Sequence, residues 1–164
     1  MKHSMKFVFF LLVLIIVSCQ KESKSNTNPK SEPASVKQQM TVHPVDVKDE
    51  EYGMGCITEY YKKGDSAKNL IFVETSSKTN NDWINYMNIN GNREVFTSSS
   101  EDNKPSKNGY TLHLENENYT VDIDAAIGEE NPEADAAEAS GTLKIMDKKT
   151  KETLVVDFEG GSAC

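Results

Sequence analysis

The feature that most constrains the fold is a hydrophobic period of two. WINYMNIN, Trp83 to Asn90, places Trp83, Asn85, Met87 and Ile89 on one face and Ile84, Tyr86, Asn88 and Asn90 on the other. Asn90-Gly91 follows, and both central positions of a type I′ turn need positive φ, so a hairpin is expected with Arg93 to Thr97 returning. NLIFVET, Asn69 to Thr75, has the length and β-branched content of a central strand. GYTLHLE (109–115) and YTVDID (119–124) alternate on either side of the turn Asn116-Glu117-Asn118. TLKIMD (142–147) and ETLVVDF (152–158) flank a hairpin tip, Lys148 to Lys151, and an earlier strand runs from about Gly55 to Lys62. The fold class is therefore mainly β: a small antiparallel sandwich or barrel of about seven to eight strands. Ser98 to Asn108 is polar and is expected as a loop.

AAIGEENPEADAAEAS, Ala125 to Ser140, interrupts the alternation. Its alanines and acids predict a short acidic helical insertion over Pro132 to Ala139, with Asn131 as cap and Pro132 at the first helical position. Asp124, Glu129, Glu130, Glu133, Asp135 and Glu138 give it an oxygen-rich character. Calcium is a conceivable ligand, but the spacing lacks the twelve-residue loop and central glycine of an EF-hand, and a solvated insertion is the default reading.

The chain begins differently. Lys2, His3 and Lys6 precede an unbroken apolar run, Phe7 to Val17, of eleven residues. At ~1.5 Å per residue a helix of that length crosses about half of a ~30 Å hydrocarbon core, so a signal peptide is expected rather than a stable span. Ile16-Val17-Ser18-Cys19 resembles the bacterial lipobox, and the type of protein it points to is a small outer-membrane or surface lipoprotein. The resemblance implies cleavage between Ser18 and Cys19, with diacylglycerol and an N-acyl chain carried on Cys19. The alternative is an ordinary cleaved leader with an incidental cysteine. Multiple acyl chains, at ~0.8 kcal/mol per buried CH₂, would hold the protein on a membrane without a transmembrane helix. Position 20 is not aspartate, and Gln20-Lys21-Glu22 resembles an export signal of one group of Gram-negative lipoproteins, which implies the outer membrane and its outer face. The same three residues could simply open a polar linker.

The organisation expected is a signal peptide (1–18), a lipidated N-terminus and disordered linker (19–48), and an acidic antiparallel β domain (49–164). Residues 20–39 hold only Ala34 and Val36 as apolar members and cannot offset their ordering entropy by burial. That stretch carries a net charge of +2, whereas residues 40–164 carry −12. An acidic domain repels phosphate backbones, which excludes nucleic acid as a partner, and it attracts basic proteins. Solubility is the plainer use of such a charge.

With lipid on Cys19, Cys56 and Cys164 remain, and an even remainder in an oxidising envelope predicts one disulfide closing nearly the whole domain. No CxxC or clustered histidine accompanies them to suggest metal. Glu159 to Ala163 is small and is expected as a flexible tail that returns Cys164 to Cys56. No nucleophile elbow, HExxH, P-loop or dinucleotide glycine pattern occurs, and the reading is non-catalytic. His113 falls on the polar face of its strand with Thr111 and Glu115, while His43 lies near the linker. Trp83, Tyr86, Tyr110 and Tyr119 line either a ligand cleft or a core.

The small acidic, disulfide-closed β domain is also similar in architecture to membrane-bound lysozyme inhibitors. Their Ser-Gly…Tyr loop has as its nearest counterpart Asn108-Gly109-Tyr110, without the serine and the spacing, so no site residue transfers. The function expected is binding or scaffolding of an unidentified protein or glycan in the envelope or at the cell surface. The alternatives are inhibition of a basic hydrolase such as lysozyme and calcium-dependent adhesion.

Overall fold

The computed structural model describes residues 39–164. The lipobox, Ser18, Cys19 and Gln20-Lys21-Glu22 lie outside the described residues. Ten strands follow in chain order: β1 (Val42–His43), β2 (Ile57–Lys62), β3 (Leu70–Ser76), β4 (Trp83–Ile89), β5 (Asn92–Ser98), β6 (Asn103–Ser106), β7 (Gly109–Glu115), β8 (Tyr119–Asn131), β9 (Ala136–Asp147) and β10 (Thr153–Ala163). They form one antiparallel sheet in the order β1-β4-β3-β2-β10-β9-β8-β7-β6, with β5 on β4. The sheet curls until β5 packs beside β7, but β5 pairs only with β4 and β6 only with β7. The result is sandwich-like, with an unzipped seam. Asn116 bridges that seam, its Nδ2 donating to Glu94 Oε2 at 2.8 Å and to the Val95 carbonyl at 3.3 Å.

Alternation explains the core. Phe72, Met87, Phe96, Leu112, Ile123, Leu143 and Phe158 point inward and are fully or almost fully buried. Tyr60 stacks between Phe72 and Phe158, with ring centroids 5.3 and 4.0 Å away. A second, smaller cluster lies outside the curl, where Val45, Val73 and Tyr86 meet Val47 and Tyr52 of a strap that ends in a 3-10 turn at Asp49–Glu51. Arg93 pins it, 2.7 Å from Glu51 Oε1 and 4.4 Å above the Tyr86 ring.

The turns follow local chemistry. Asn90 and Gly91 have φ of 55° and 83°, as the Asn-Gly pair requires. At the β9–β10 tip, Asp147 Oδ1 accepts from the amides of Lys149 and Thr150 at 2.7 and 2.8 Å, and these bonds hold its carboxyl below the usual range.

Four expectations need correction. There is no helix over 132–139: Ala136 to Ala139 belong to β9, bonded to β8 on one side and to β10 on the other. Asn131 Oδ1 does accept from the amides of Glu133 and Ala134, at 3.2 and 3.3 Å, but it closes a hairpin turn instead of starting a helix. Helix propensity is a weak prior, and two flanking ladders override it. Residues 159–163 are likewise strand and not a loose tail, because β2 and β9 pair with them throughout. The domain also starts earlier than residue 49, since Met40, Val42 and Val45 are buried in the two clusters. Finally, the polar loop 98–108 contains β6, an exposed edge strand in which Pro105 is tolerated. That strand and the two-residue β1 raise the count to ten.

Candidate functional site

Cys56 and Cys164 are bonded, 108 residues apart in sequence. The bond joins the start of β2 to the end of β10, beside the register pair Ile57–Ala163. Gly160 permits the close approach of these strands, because a Cβ there would lie 2.1 Å from the Glu59 carbonyl oxygen.

Around this corner lies a shallow groove of about 920 Å³. Ile57, Tyr61 and Leu70 supply apolar surface and Ala137 and Ala163 supply small residues. Glu59, Glu129 and Glu138 supply acid, against one cation, Lys68, which sits 5.3 Å over the Tyr61 ring. The β8–β9 hairpin extends past the core here. Residues 126–135 are all exposed, and no lysine or arginine occurs between Lys107 and Lys144. Six acids singled out from the sequence therefore map as follows: Asp124 on the exposed face of β8, Glu129 and Glu130 at its irregular end, Glu133 and Asp135 in the turn, Glu138 on β9. They are strung along a ribbon and do not converge. Among the described residues no group of three or more His, Cys, Asp or Glu side chains is placed to hold a metal ion.

No family model, curated protein or solved structure matches the chain.

A second polar centre lies inside the same end of the curl. Thr58, Glu74 and Asn85 are successive cross-strand neighbours on β2, β3 and β4. Glu74 receives a long hydrogen bond from Thr58 Oγ1, 3.4 Å away, and burial raises its carboxyl to about 7. Tyr60 and Tyr110 are hydrogen-bonded hydroxyl to hydroxyl. Burial is the main cause that pushes the Tyr110 hydroxyl up to about 12 and Tyr60 higher still, so both are neutral phenols at physiological pH.

Of the four aromatics named from the sequence, Tyr119 and Tyr86 are core and Tyr110 is half-buried against Tyr60. Trp83 is partly exposed and lines a pocket with Glu74. His113 is exposed on β7, as its alternation requires. Its Nδ1 is 2.6 Å from Asp122 Oδ1 and its Nε2 is 4.0 Å from Glu115 Oε2. His43 is exposed on β1, with Nε2 2.9 Å from Thr41 Oγ1. Sequence reasoning missed Glu74. It sits near the end of a run read as a central strand for its apolar residues, and only the register shows that it faces inward.

Proposed function

We propose that the chain is a lipid-anchored, non-catalytic envelope protein whose acidic β domain binds a basic protein partner. The lipobox supplies the anchor in this reading: the chain is cleaved after Ser18, acylated on Cys19 and sent to the outer membrane, with its domain on the cell surface. The observation that carries the binding half is the groove at the Cys56–Cys164 corner, lined both by apolar Ile57, Tyr61 and Leu70 and by the acids Glu59, Glu129 and Glu138. A partner would bury the apolar residues while its lysines or arginines meet the acids, and charge complementarity would steer the encounter. The disulfide holds the groove's walls in register, which lowers the ordering cost of binding.

The same acidity favours a second reading, inhibition of a basic hydrolase such as lysozyme. Two experiments separate them. A photo-crosslinking residue at Glu138 in living cells should capture a discrete partner, and one at Thr97 on β5 should not; equal capture at both positions defeats the groove. Purified full-length protein added to lysozyme at low ionic strength should slow cell-wall lysis if the inhibitor reading holds, and an unchanged rate removes it. For the anchor, cells fed radioactive palmitate should label the protein, and Cys19→Ala should abolish both the label and membrane partitioning.

A further inference from the structure

The unzipped seam between β5 and the β6–β7 edge contains a pocket of about 280 Å³ that shares no residue with the groove. Glu74, Trp83, Leu112, Ser98, Ser99 and Asn103 line it. No lysine or arginine lines it. The Glu74 carboxylate has one long hydrogen bond and no ion pair among the described residues. Directly across the β3–β4 register from it, Asn85 is fully buried. Asn85 Nδ2 donates to Ser98 Oγ at 2.9 Å, while its Oδ1 has no partner among the described residues. The lining is therefore acidic and polar: the Glu74 carboxylate, the Asn103 amide and the hydroxyls of Ser98, Ser99 and Ser100, with the Trp83 indole beside them, while Asn85 is bonded to Ser98 and does not itself line the pocket. An anion is repelled by such a wall. A neutral guest leaves the Glu74 carboxylate buried without a counter-charge, which is costly.

We propose that this pocket binds a small organic cation of the alkylammonium class, its charge against the Glu74 carboxylate and its carbon substituents on Trp83. Ammonium groups are attracted to an indole face and, more strongly, to a partly desolvated carboxylate. The volume corresponds to roughly nine waters at ~30 Å³ each, which suits a guest of choline's size and excludes a peptide. The elevated carboxyl agrees with this reading, since a buried acid without a cation titrates near neutrality and a bound cation would draw it down. The other titratable groups facing Glu74 are the Tyr60 and Tyr110 hydroxyls, which stay neutral across the range used below.

Trp83 is the only tryptophan of the chain, so its fluorescence reports on this pocket and on the neighbouring one it lines with Ser76 and Asp82, and Glu74→Gln tells the two apart. Full-length protein in detergent micelles is titrated with choline, with its uncharged isostere 3,3-dimethyl-1-butanol, and with sodium chloride at matched ionic strength. The expected result is a saturable change with choline at a Kd of about 1 mM, and about tenfold weaker binding of the neutral isostere. Choline binding should tighten about tenfold from pH 6 to pH 8 as Glu74 loses its proton. Glu74→Gln keeps the shape and removes a buried charge, so it should fold, and it should lose both the choline response and its pH dependence. No saturable change with choline up to about 10 mM, an equal response to the isostere, or an unchanged affinity in Glu74→Gln each overturns the proposal. The crosslinks from Glu138 are unaffected by any of these outcomes, so the groove reading stands or falls separately.

Discussion

β8 is two different strands joined end to end. From Tyr119 to Ala125 every second residue is buried, whereas from Ala126 to Asn131 every residue is exposed. Its partner β9 shows the same division, with Leu143 and Ile145 fully buried near one end and Ala136 to Glu138 half-buried or exposed near the other. The first halves are held by their own side chains. The second halves are held by backbone ladders to their neighbours and, through β10 and β2, by a covalent bond. A strand can thus persist well beyond its hydrophobic pattern when adjacent strands supply the hydrogen bonds, and the length so gained carries charge instead of core.

Four perturbations break or sharpen that contrast. The largest is removal of the disulfide. For a loop of about 100 residues the chain-entropy model assigns ~4.7 kcal/mol, so reduction, or Cys56→Ala with Cys164→Ala, should lower the urea midpoint by a corresponding amount. Hydrogen exchange should accelerate first at 57–60 and 160–163. Unchanged exchange there would mean that the overhang stands without its staple. Next is Leu143→Ala in the core half, with an expected cost of about 2–5 kcal/mol from lost burial and the cavity left behind. Ile127→Ala in the exposed half should cost less than about 1 kcal/mol, and similar costs at the two sites would erase the distinction drawn between the halves.

Glu74→Gln comes third, and its sign depends on pH. The native carboxyl, raised to about 7, holds its proton where the unfolded chain, near 4.5, has released it. Wild-type stability is therefore complete below the unfolded value and falls as pH rises through about 7. Glutamine removes that loss, so denaturation should show stabilisation of up to about 3 kcal/mol at pH 8, an upper bound because the group is partly exposed, and little change at pH 4. The smallest effect on folding is expected from Glu129→Lys with Glu138→Lys on the overhang, within about 0.5 kcal/mol either way. If the groove reading holds, the same pair abolishes crosslinking to the partner from a photo-reactive residue placed at the neighbouring groove position Ala137, so stability and binding separate.

The expected β fold was legible wherever one face of a strand meets the core, because period-two patterning is the direct imprint of burial on a single side. β4, β5, β7 and the first half of β8 appear where their alternation places them. The Asn90-Gly91 turn and the Cys56–Cys164 pairing were equally readable, one from backbone sterics and the other from cysteine count. Ala136 to Ala139 misled because an alanine- and acid-rich stretch carries local helix preference and no trace of its neighbours. β6 was invisible for a related reason: Asn103 to Ser106 is wholly exposed, so nothing in its composition distinguishes strand from loop.

The candidate sites divide along the same line. From sequence came an acidic surface, a staple between two cysteines and a set of inward-facing strands, since charge, covalent chemistry and side-chain period are properties of residues and their spacing. Tertiary structure decided which acids flank an apolar groove, that Glu74 looks inward beside Trp83 and Asn85, and that the curl stops one ladder short of closing. Register, curvature and closure depend on how distant strands meet, and no local segment encodes the identity of the neighbour that will pair with it.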